Sequence, residues 1–559
     1  MKGQPFVKNG KTLLSGVDPI RRAERAADAV AITGRTLYLC PSPLYGYGLE
    51  RFLSRLEEQE PNSAVLCIEA DPELYELSAE NISSSVAHNS RLHLAKSCDK
   101  PELAAFVRDT YGAAAFRRIE MLRLTGGYQL FPELYDSLLD MLRGEMATDW
   151  SNTLTLTKLG RLYIRNFFRN LALESSPHEP RCPSIANLSF EDAPVLVLGA
   201  GPSLDEILDQ LKENDVSSAN RTFKIVCVDT CVGALKDRGI TPDLVVILES
   251  QHWNLRDFSG CRGWRAPAAV DLSALPSSVR VLDGDKYFFF TPWTDLRVFE
   301  RLKEADLLPP SMPPLGSVGL TAVALAHRLT RGKIICSGLD FSFTQDKYHA
   351  RGTPGHRRRL NTQTRFRGVE NTAAFASGVF SALSKSGAIV YCNPIMKNYR
   401  DLFEREFAGD QRLFDIEGSG LPLGVKTLSM NEAAGILNIR NFYRELAPPT
   451  KFPAVPSVQT RTDTNRSCDI EQQVREVSGK EIKLKLFLEN EKRRLTELRN
   501  MLSGEIEADR QRLEVLIDGL DYLWVHFPDC AGGRRQEITD VLFLKRVRAE
   551  IDPMLKALD

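Results

Sequence analysis

The sequence lacks paired cysteines, a charge imbalance and long apolar runs, and each absence argues against a class of protein. Its 11 cysteines are scattered singly without a Cys-x-x-Cys pair, which indicates neither a zinc site nor a disulfide framework. Lys and Arg total 72 against 73 Asp and Glu, so no strongly basic surface favours a nucleic-acid partner. Because the chain has neither an apolar signal core nor a run of membrane-spanning length, we expect a cytoplasmic protein with no membrane span.

The composition is that of an ordinary globular protein with room for several domains. Of its 559 residues, 43% are hydrophobic and 26% are charged, as is usual in soluble folds. Alternating strand and helix patterns predict the α/β class, with a central Rossmann-like parallel-sheet domain. We predict an N-terminal α/β (Rossmann-like) domain at 1–165, a central domain at 185–430 and a C-terminal helical domain at 431–559.

One stretch of the central domain has the features of a phosphate-facing turn. Val195–Leu198 is apolar at every position, as in a buried parallel strand. Gly199 and Gly201 allow a tight turn and a close approach to a ligand. Pro202 suits the first position of the helix that carries Ser203. A helix N-terminus after such a turn offers free N–H groups and the positive end of the helix dipole to an anion.

Polar groups follow several predicted strands of the central domain at their carboxyl ends. Ligands of parallel sheets bind at that edge, so we expect these groups to converge on one site. They are Asp229-Thr230 after strand Lys224–Val228, Glu249-Ser250 after strand Pro242–Leu248, and Gly338–Asp340 after strand Lys333–Cys336. Ser317 precedes a helix of small residues, where we expect it to be an N-cap or a ligand contact.

A weaker pattern of the same kind lies in the N-terminal domain. Strand Thr36–Cys40 is followed by a turn containing Gly46 and Gly48, and strand Ala64–Ile68 ends at Glu69. In a Rossmann half, such an acid would hold a ribose. The third glycine of that fingerprint is missing, which favours a docking or scaffold domain over a nucleotide site.

Three further stretches carry structural expectations. Phe341–Arg367, which is polar and basic and includes Arg357-Arg358-Arg359, is expected to be a mobile loop over the site. Asn371 is expected to cap a helix that runs through Lys385. Glu471–Ile517, proline-free with apolar residues at helical spacing, predicts a long amphipathic helix that forms a hairpin or small bundle with Asp518–Leu558. The sequence leaves open whether these helices pack into the core of their own chain or form a dimer interface.

The motifs of the chain, taken together, resemble those of the bacterial motility accessory factor family, the flagellin nonulosonic-acid glycosyltransferases. The resemblance covers the whole length, and its central part is also similar to small bacterial sialyltransferases that use CMP-sialic acid. Tyr348 falls at the place of one phosphate-binding tyrosine of those enzymes, and Ser342 falls at the place of the second. The motifs are Gly199–Asp205, Asp229-Thr230, Gly239–Val246, Gly316–Val318, Ser337–Phe341 and Tyr348-His349.

The resemblance implies transfer of a nonulosonic acid, of the pseudaminic or legionaminic type, from a CMP donor to Ser or Thr of flagellin, for filament assembly and motility. It implies a histidine as general base, a residue that titrates near neutrality. His356 is favoured over His349, which is then a site contact. No cofactor and no metal ion are expected, and homo-oligomerisation through the C-terminal helices is open. The implied donor-nucleotide residues are Gly199, Gly201, Pro202, Ser203, Asp229, Thr230, Glu249, Ser317, Gly338, Asp340 and Tyr348.

Two alternatives remain open at the sequence level. The archaeal hydroxymethylpterin pyrophosphokinases share the central motifs, so one alternative is diphosphate transfer from ATP to a pterin-like alcohol. That reaction would require Mg²⁺, with Asp229, Glu249 and Asp340 as candidate ligands. The other alternative is a non-catalytic flagellin chaperone that keeps only the fold.

Overall fold

The computed structural model divides the chain into two compact units, which are Met1–Gly160 with Trp524–Glu537 and Arg161–Leu523 with Ile538–Asp559. The residues that the structure describes are 5–112, 115–174, 182–214, 216, 221–366, 372–439, 467–506, 509–530 and 535–558, with the backbone alone for 85, 148 and 467–478. Part of the stretch between the first two predicted domains, and the predicted cap Asn371, lie outside these ranges.

The first unit contains a four-stranded parallel sheet with helices on it, as the sequence predicts. Its strand order is β5-β4-β3-β6, and a separate pair is formed by β1 and β2. The strands are β1 Phe6–Lys8, β2 Lys11–Leu14, β3 Thr36–Pro41, β4 Ala64–Ile68, β5 Leu92–Leu94 and β6 Arg118–Met121. The helices are α1 Pro19–Ala29, α2 Leu49–Gln59, α3 Pro72–Asn81, α4 Ser84–Ala87, α5 Lys100–Tyr111 and the first part of α6 Pro132–Glu174.

Glu69, the acid that follows β4, is turned into the first unit. Its carboxylate accepts hydrogen bonds from the hydroxyls of Ser42, at 2.5 Å, and Tyr135, at 3.3 Å. It is 6% exposed, and burial raises the pKa of this carboxyl. Because Glu69 holds the turn after β3 by these bonds, its visible role in the unit is structural.

The second unit is built on an eight-stranded sheet in the order β11-β10-β9-β8-β7-β12-β15-β16. All neighbours in it are parallel. A two-stranded antiparallel hairpin, β13 with β14, stands apart. The strands are β7 Val195–Leu198, β8 Lys224–Val228, β9 Leu244–Ile247, β10 Ala268–Asp271, β11 Lys286–Phe289, β12 Ile334–Ser337, β13 Phe380–Leu383, β14 Ile389–Cys392, β15 Leu413–Ile416 and β16 Lys426–Leu428.

The sequence of strand positions identifies the place where a ligand is expected. The chain adds β8 to β11 on one side of β7 and then continues with β12, β15 and β16 on the other side. The order therefore reverses between β7 and β12, and ligands of open α/β sheets bind outside the carboxyl ends of strands at such a point. The residues at this point are Gly199–Gly201 after β7 and Gly338–Asp340 after β12.

Helices of the second unit cover the sheet and form the C-terminal bundle. The helix Val318–Leu329 packs on the central strands, in keeping with its small residues. Ser317 is its N-cap residue, but its side chain makes no cap hydrogen bond. The helices are α7 Leu204–Glu213, α8 Val232–Asp237, α9 Pro276–Val279, α10 Arg297–Glu304, α11 Val318–Leu329, α12 Pro354–Thr362, α13 Pro394–Phe407, α14 Met430–Leu437, α15 Ser467–Leu502, α16 Arg510–Gly519 and α17 Val541–Leu558.

Two predictions for the region after β12 are wrong. The expected loop at Phe341–Arg367 contains α12, because Thr353 caps a helix that Pro354 starts. The expected helix up to Lys385 is replaced, in its described part, by a 3₁₀ turn at Thr372–Phe375 and strand β13. Gly378 has φ +81° and Gly387 has φ +79°, and this left-handed backbone ends any helix and turns the hairpin.

The predicted C-terminal helix is interrupted, and Pro202 does not start α7. The long helix ends at Leu502, Gly504 takes φ +76°, and Asp509 caps α16 with its side chain. Helix α7 starts at Leu204 with Ser203 as its N-cap residue, so Pro202 lies before the helix. In the described residues no helix is both long and apolar enough to span a bilayer.

Candidate functional site

The turn after β7 is joined to the exit of β12 by close backbone packing. The N–H groups of Gly199 and Gly201 donate to the carbonyls of Ser337 and Gly338, each at 2.8 Å. A Cβ at Gly199 would lie 2.4 Å from the Gly338 carbonyl oxygen, and Gly338 itself has φ +72°. Glycine is therefore required here so that two strand exits can touch. The two amides are not free for a phosphate, contrary to the expectation from the sequence.

Asp340 fastens the same turn with its side chain. One carboxylate oxygen accepts the Ser203 N–H at 2.8 Å, and the other accepts the Ser203 hydroxyl at 2.5 Å. Asp340 is 1% exposed, and a Cβ on either Gly201 or Gly420 would lie within 3 Å of its side chain. The pair Ser203–Asp340 thus fixes the geometry of the turn from within.

Asp205, in the first turn of α7, holds the segment that carries Tyr348 and His349. Its carboxylate lies 2.9 Å from Lys347 Nζ and 3.3 Å from Arg351 Nε, and it also accepts the Arg351 N–H at 2.9 Å. With 7% exposure of its side chain, this carboxylate is largely removed from solvent competition. Because Lys347 and Arg351 flank the Tyr-His pair, Asp205 fixes Tyr348 and His349 relative to the glycine turn.

Further contacts complete this attachment. The Ala350 N–H donates to the Ala200 carbonyl at 3.0 Å, so the turn and the 347–351 segment share a backbone hydrogen bond. Arg351 also pairs with Asp209 of α7, and Arg357 pairs with Asp237 at the end of α8. The loop is therefore bound to the two helices that follow β7 and β8.

A cavity of about 350 Å³ lies within the attached segment and α12. Its walls include three cations, Lys347, Arg358 and Arg359, against one acid, Asp346. Asp346 accepts a bond from the Thr344 hydroxyl, which lowers the pKa of this carboxyl. The remaining walls come from Tyr348, His349, Gly355, His356 and Thr362. Its volume and net positive lining suit a small anionic ligand.

The two histidines of the cavity differ in their surroundings. His349 packs edge-on against Tyr348 and also meets Gly355, where a Cβ would lie 2.9 Å from Nδ1. Burial, and to a lesser degree the charge of Arg359, lowers the pKa of His349 to about 4. Burial also lowers the pKa of His356, which lies in the first turn of α12. Near neutral pH, His349 is therefore an uncharged hydrogen-bonding group.

An aromatic stack connects the cavity to the hairpin. The Tyr348 and Phe343 rings are 4.7 Å apart and 28° from parallel, and Phe343 stacks on Tyr391 of β14 at 6.2 Å. The Arg359 guanidinium lies 5.4 Å from the Tyr348 ring centroid, a cation–π distance. The stack holds Tyr348 in place as a wall of the cavity.

A second group of polar residues lies at the carboxyl ends of β8 and β9. Asp229 accepts from the Thr230 N–H at 2.8 Å and from the Asn254 side chain at 2.6 Å. The same amide donates to Asp257 at 3.3 Å. Burial raises the pKa of Asp229 to about 6 and, together with the charge of Asp229, that of Asp257 to about 7. Glu249 is exposed and caps its own turn through the Gln251 N–H at 2.8 Å.

The sequence-predicted residues therefore fall into three groups. The cavity contains Tyr348, His349 and His356, and the locked turn contains Gly199, Gly201, Ser203, Gly338 and Asp340, with Pro202 between. The strand-end group contains Asp229, Thr230 and Glu249. Helix α8, which follows the strand-end group, packs against the segment before α12, since a Cβ on Gly233 would lie 3.1 Å from the Gly352 carbonyl oxygen. Ser317 lies outside these groups, as the residue before α11, and a Cβ on Gly319 of that helix would lie 2.7 Å from the Leu339 side chain.

Sequence reasoning missed the residues that assemble the site. Asp205 belongs to the quoted motif, but its cationic partners Lys347, Arg351 and Arg238 come from distant segments, so the pattern carried no signal of the network. Asn254 and Asp257 follow Glu249 closely in sequence. The available signal for them was that an acidic residue, Glu249, ends the strand just before them. Arg359 was expected as part of a solvated basic loop, whereas it contacts Tyr348. Among the described side chains, no group of three or more His, Cys, Asp or Glu is arranged to hold a metal ion.

Comparisons with known proteins identify the class of fold. Residues 165–346 match the family model described as "6-hydroxymethylpterin diphosphokinase MptE-like". The MAf glycosyltransferase from Magnetospirillum magneticum AMB-1 has the same fold, with a TM-score of 0.56, 14% identity, and coverage of 100% of this chain and 91% of that one. The protein is thus a mixed α/β protein of the MAf glycosyltransferase fold with an MptE-like central region.

A closer relative in sequence defines the family. An "uncharacterized protein" of Treponema pallidum (strain Nichols) is 31% identical over 543 residues, which are 96% of this chain and 90% of that protein. The chain belongs to the same family as this Treponema protein.

Proposed function

We propose that the protein is a glycosyltransferase that moves a nonulosonic acid from its CMP donor to Ser or Thr hydroxyls of flagellin in the cytoplasm. The observation that carries the proposal is the cationic cavity of about 350 Å³ fastened to the glycine turn by Asp205. A CMP-linked nonulosonic acid carries a phosphate and a carboxylate, both negative, and the lining of the cavity is complementary to them. The fold shared with a MAf glycosyltransferase supports the same reaction class.

In this proposal the cavity holds the leaving phosphate. Lys347, Arg358 and Arg359 supply positive charge, and the first turn of α12 adds the positive end of its dipole. Charge that develops on the departing CMP phosphate is then stabilised by groups fixed in advance. The Tyr348 hydroxyl is a further donor to that phosphate, held in place by its stack on Phe343.

His356 is the proposed general base and His349 a neutral contact. A base works best when its pKa lies near the working pH, and a His349 pKa of about 4 makes it a weak acceptor of the hydroxyl proton. His356 lines the same cavity and is less deeply buried than His349. The cytosine and ribose of the donor are proposed to be bound by hydrogen bonds from polar groups. These groups are Asp229, Thr230 and Glu249 after β8 and β9, and Ser317 before α11.

A second candidate function is favoured by the MptE-like match over 165–346. In that case the protein would transfer diphosphate from ATP to a pterin-like alcohol, and Asp229, Glu249 and Asp340 would bind Mg²⁺. The geometry gives this less support, because both Asp340 oxygens already accept bonds from Ser203 and Asp229 is engaged by Thr230 and Asn254.

Titration calorimetry with CMP, and separately with ATP plus Mg²⁺, distinguishes these functions. The glycosyltransferase proposal predicts saturable CMP binding that is weakened at least tenfold by Arg359→Ala, without a need for divalent ions. Saturable binding of Mg-ATP in the absence of CMP binding would instead support the kinase. Binding of neither nucleotide would leave a non-catalytic chaperone as the better account.

A further inference from the structure

Three arginines of the second unit lie close together without a carboxylate to balance them. Arg165 and Arg169 are four residues apart on α6, and Arg280 directly follows α9. Residues at that helical spacing are neighbours on the helix surface, and like charges there repel each other. In the described part of the chain no Asp or Glu forms an ion pair with any of the three. We call Arg165, Arg169 and Arg280 the arginine cluster.

The loop between β10 and α9 brings Arg280 to α6. The Asn170 side chain, next to Arg169, donates to two carbonyls of this loop at 2.8 and 2.9 Å. Burial, and then the positive charges of Arg165 and Arg280, lower the pKa of the Arg169 guanidinium. Arg169 is therefore held in place against repulsion from both of its neighbours.

Arg165 differs from comparable arginines because it has a shielded nitrogen and no counterion. Its Nε is closed to solvent and has no hydrogen-bond partner among the described residues. The Nε atoms of Arg221 and Arg301 are also closed to solvent and without a partner, but each of those guanidiniums is ion-paired, with Asp243 and with Glu491. A shielded charge without an opposite charge is costly to a folded protein. The arginine cluster therefore has a requirement for an anion that its own described surroundings do not meet.

The number and type of the cations indicate the kind of anion. A guanidinium presents a planar fork of N–H donors that matches two oxygens of a phosphate or carboxylate. A single carboxylate balances one of the three charges, whereas a phosphate monoester carries about two negative charges and three acceptor oxygens. Arg280 is exposed, and Arg165 and Arg169 are half-buried, so an anion can reach the cluster from solvent.

We propose that the arginine cluster binds a phosphate or diphosphate group at a site separate from the donor cavity. None of the three arginines lines that cavity. The site does not depend on the proposed sugar transfer, because charge and guanidinium geometry alone select its ligand. A bound phosphate group replaces repulsion among the three arginines with attraction to a common partner, and it therefore stabilises the second unit.

The test is titration calorimetry of inorganic pyrophosphate into the full chain at constant ionic strength. We expect saturable binding by wild type and a Kd at least tenfold higher when Arg169→Gln and Arg280→Gln are combined, since two charge-assisted hydrogen-bonding groups are lost. Kd for CMP should stay within about threefold of wild type. The matched control is Arg331→Gln with Arg405→Gln, which removes two exposed arginines that already have carboxylate partners. This control is expected to keep the wild-type Kd for pyrophosphate.

The melting temperature supplies a measurement that does not depend on detecting heat of binding. In phosphate-free buffer of low ionic strength, Arg169→Gln should raise the melting temperature, because it removes a repelled charge. Pyrophosphate should then raise the melting temperature of wild type more than that of the variant. A lower melting temperature for Arg169→Gln without ligand would mean that Arg169 has a structural partner, and it would overturn the inference.

The remaining outcomes of the calorimetry also separate this site from the proposed donor cavity. Equal pyrophosphate binding by wild type and the cluster variant, or no saturable binding by wild type, overturns the inference. Loss of pyrophosphate binding only when Arg358→Gln and Arg359→Gln are combined assigns the anion to the cavity and overturns it too, as does loss of CMP binding in the cluster variant. If wild type binds no CMP, the proposed transferase fails, and the pyrophosphate titration still decides the arginine cluster.

Discussion

At the scale of single residues, the cavity contains two histidines whose surroundings give them different chemistry. His349 is enclosed by Tyr348 and Gly355, and its pKa near 4 keeps it neutral at working pH. His356 stands in the first turn of α12, whose N-terminal dipole also disfavours a positive charge. His356 is nevertheless the less deeply buried of the two, so we propose His356 for proton transfer and His349 for orientation.

Replacing the two histidines separately tests this division of roles. We expect His356→Ala to lower kcat about 10²- to 10⁴-fold, the usual contribution of a general base, with CMP binding retained. His349→Ala should lower kcat less than His356→Ala and should weaken donor binding. Transfer kinetics and CMP calorimetry on both variants give the comparison, and full activity in both would remove histidine catalysis from the account.

The pair Asp229 and Asp257 is a second residue-scale feature with a measurable consequence. Both carboxyls have raised pKa values, about 6 and about 7, because they are buried close together around the Asn254 amide. A raised carboxyl pKa means that the folded state binds a proton that the unfolded state has released. Its contribution to stability is thus present at low pH and is lost as pH rises through the folded pKa.

Asp257→Asn should therefore change the pH dependence of unfolding. Because asparagine cannot ionise, the variant avoids the loss of stability that wild type undergoes as pH rises from the ordinary carboxyl pKa to the folded value of about 7. We expect its advantage over wild type in the free energy of unfolding to grow by about 1–3 kcal/mol between pH 5 and pH 7 and to stay constant above that. Urea denaturation at four pH values measures this difference. Parallel pH profiles for the two proteins would show that Asp257 is not the titrating group.

At the scale of elements, the site depends on how a loop is fastened to α7 and α8. Asp205 meets Lys347, Arg351 and Arg238, the last at 3.3 Å. The segment between Lys347 and Arg351 carries Tyr348 and His349, so the network positions two cavity walls at once. The Asp205 carboxylate is mostly buried. Removing one partner of a buried ion pair lowers the free energy of unfolding, because the charges that remain lose their opposite charge.

Asp205→Asn tests this fastening. We expect the free energy of unfolding to fall by about 2–4 kcal/mol and Kd for CMP to rise at least tenfold, since the cavity walls lose their support. The matched control is Asp192→Asn, whose pair with Arg331 is 76% and 78% exposed and should contribute less than about 1 kcal/mol. Equal effects of the two substitutions on stability and on CMP binding would contradict the role given to Asp205.

Comparison of elements also shows how far the sequence alone determines the fold. The strands at 36–41, 64–68, 195–198 and 224–228 were predicted because each is a run of apolar residues closed by a turn. The sequence predicts a helix from the cap Asn371 through Lys385, whereas the chain forms β13 there, because Gly378 and Gly387 take positive φ. The Asp205 network and the ring stack join segments far apart in sequence, which local patterns do not reveal.

At the scale of the whole molecule, the MptE-like region, residues 165–346, is one part of a larger fold. The C-terminal helices pack into the second unit through Glu491, which is 2% exposed and accepts bonds from Arg301 at 2.6 Å and Tyr522 at 3.0 Å. Leu484, Leu488, Leu495 and Leu498 of α15 are also buried. Core packing is therefore one use of these helices, and dimerisation through them stays a prediction.

The shared fold with a MAf glycosyltransferase extends over this whole architecture and not over the central domain alone. A small-molecule kinase needs only the central sheet and its loops, whereas a protein acceptor requires surface beyond the cavity. Under the proposed function, the elements outside the central sheet supply the surface that a protein acceptor needs.

The most direct test of the central claim is the intact mass of purified flagellin after incubation with the protein and a CMP-nonulosonic acid. The account predicts a mass increase by whole nonulosonic-acid residues, present with wild type and strongly reduced with His356→Ala. Omission of the CMP donor should abolish the increase. An unchanged flagellin mass with wild-type protein that is folded and binds CMP would contradict the proposed transfer.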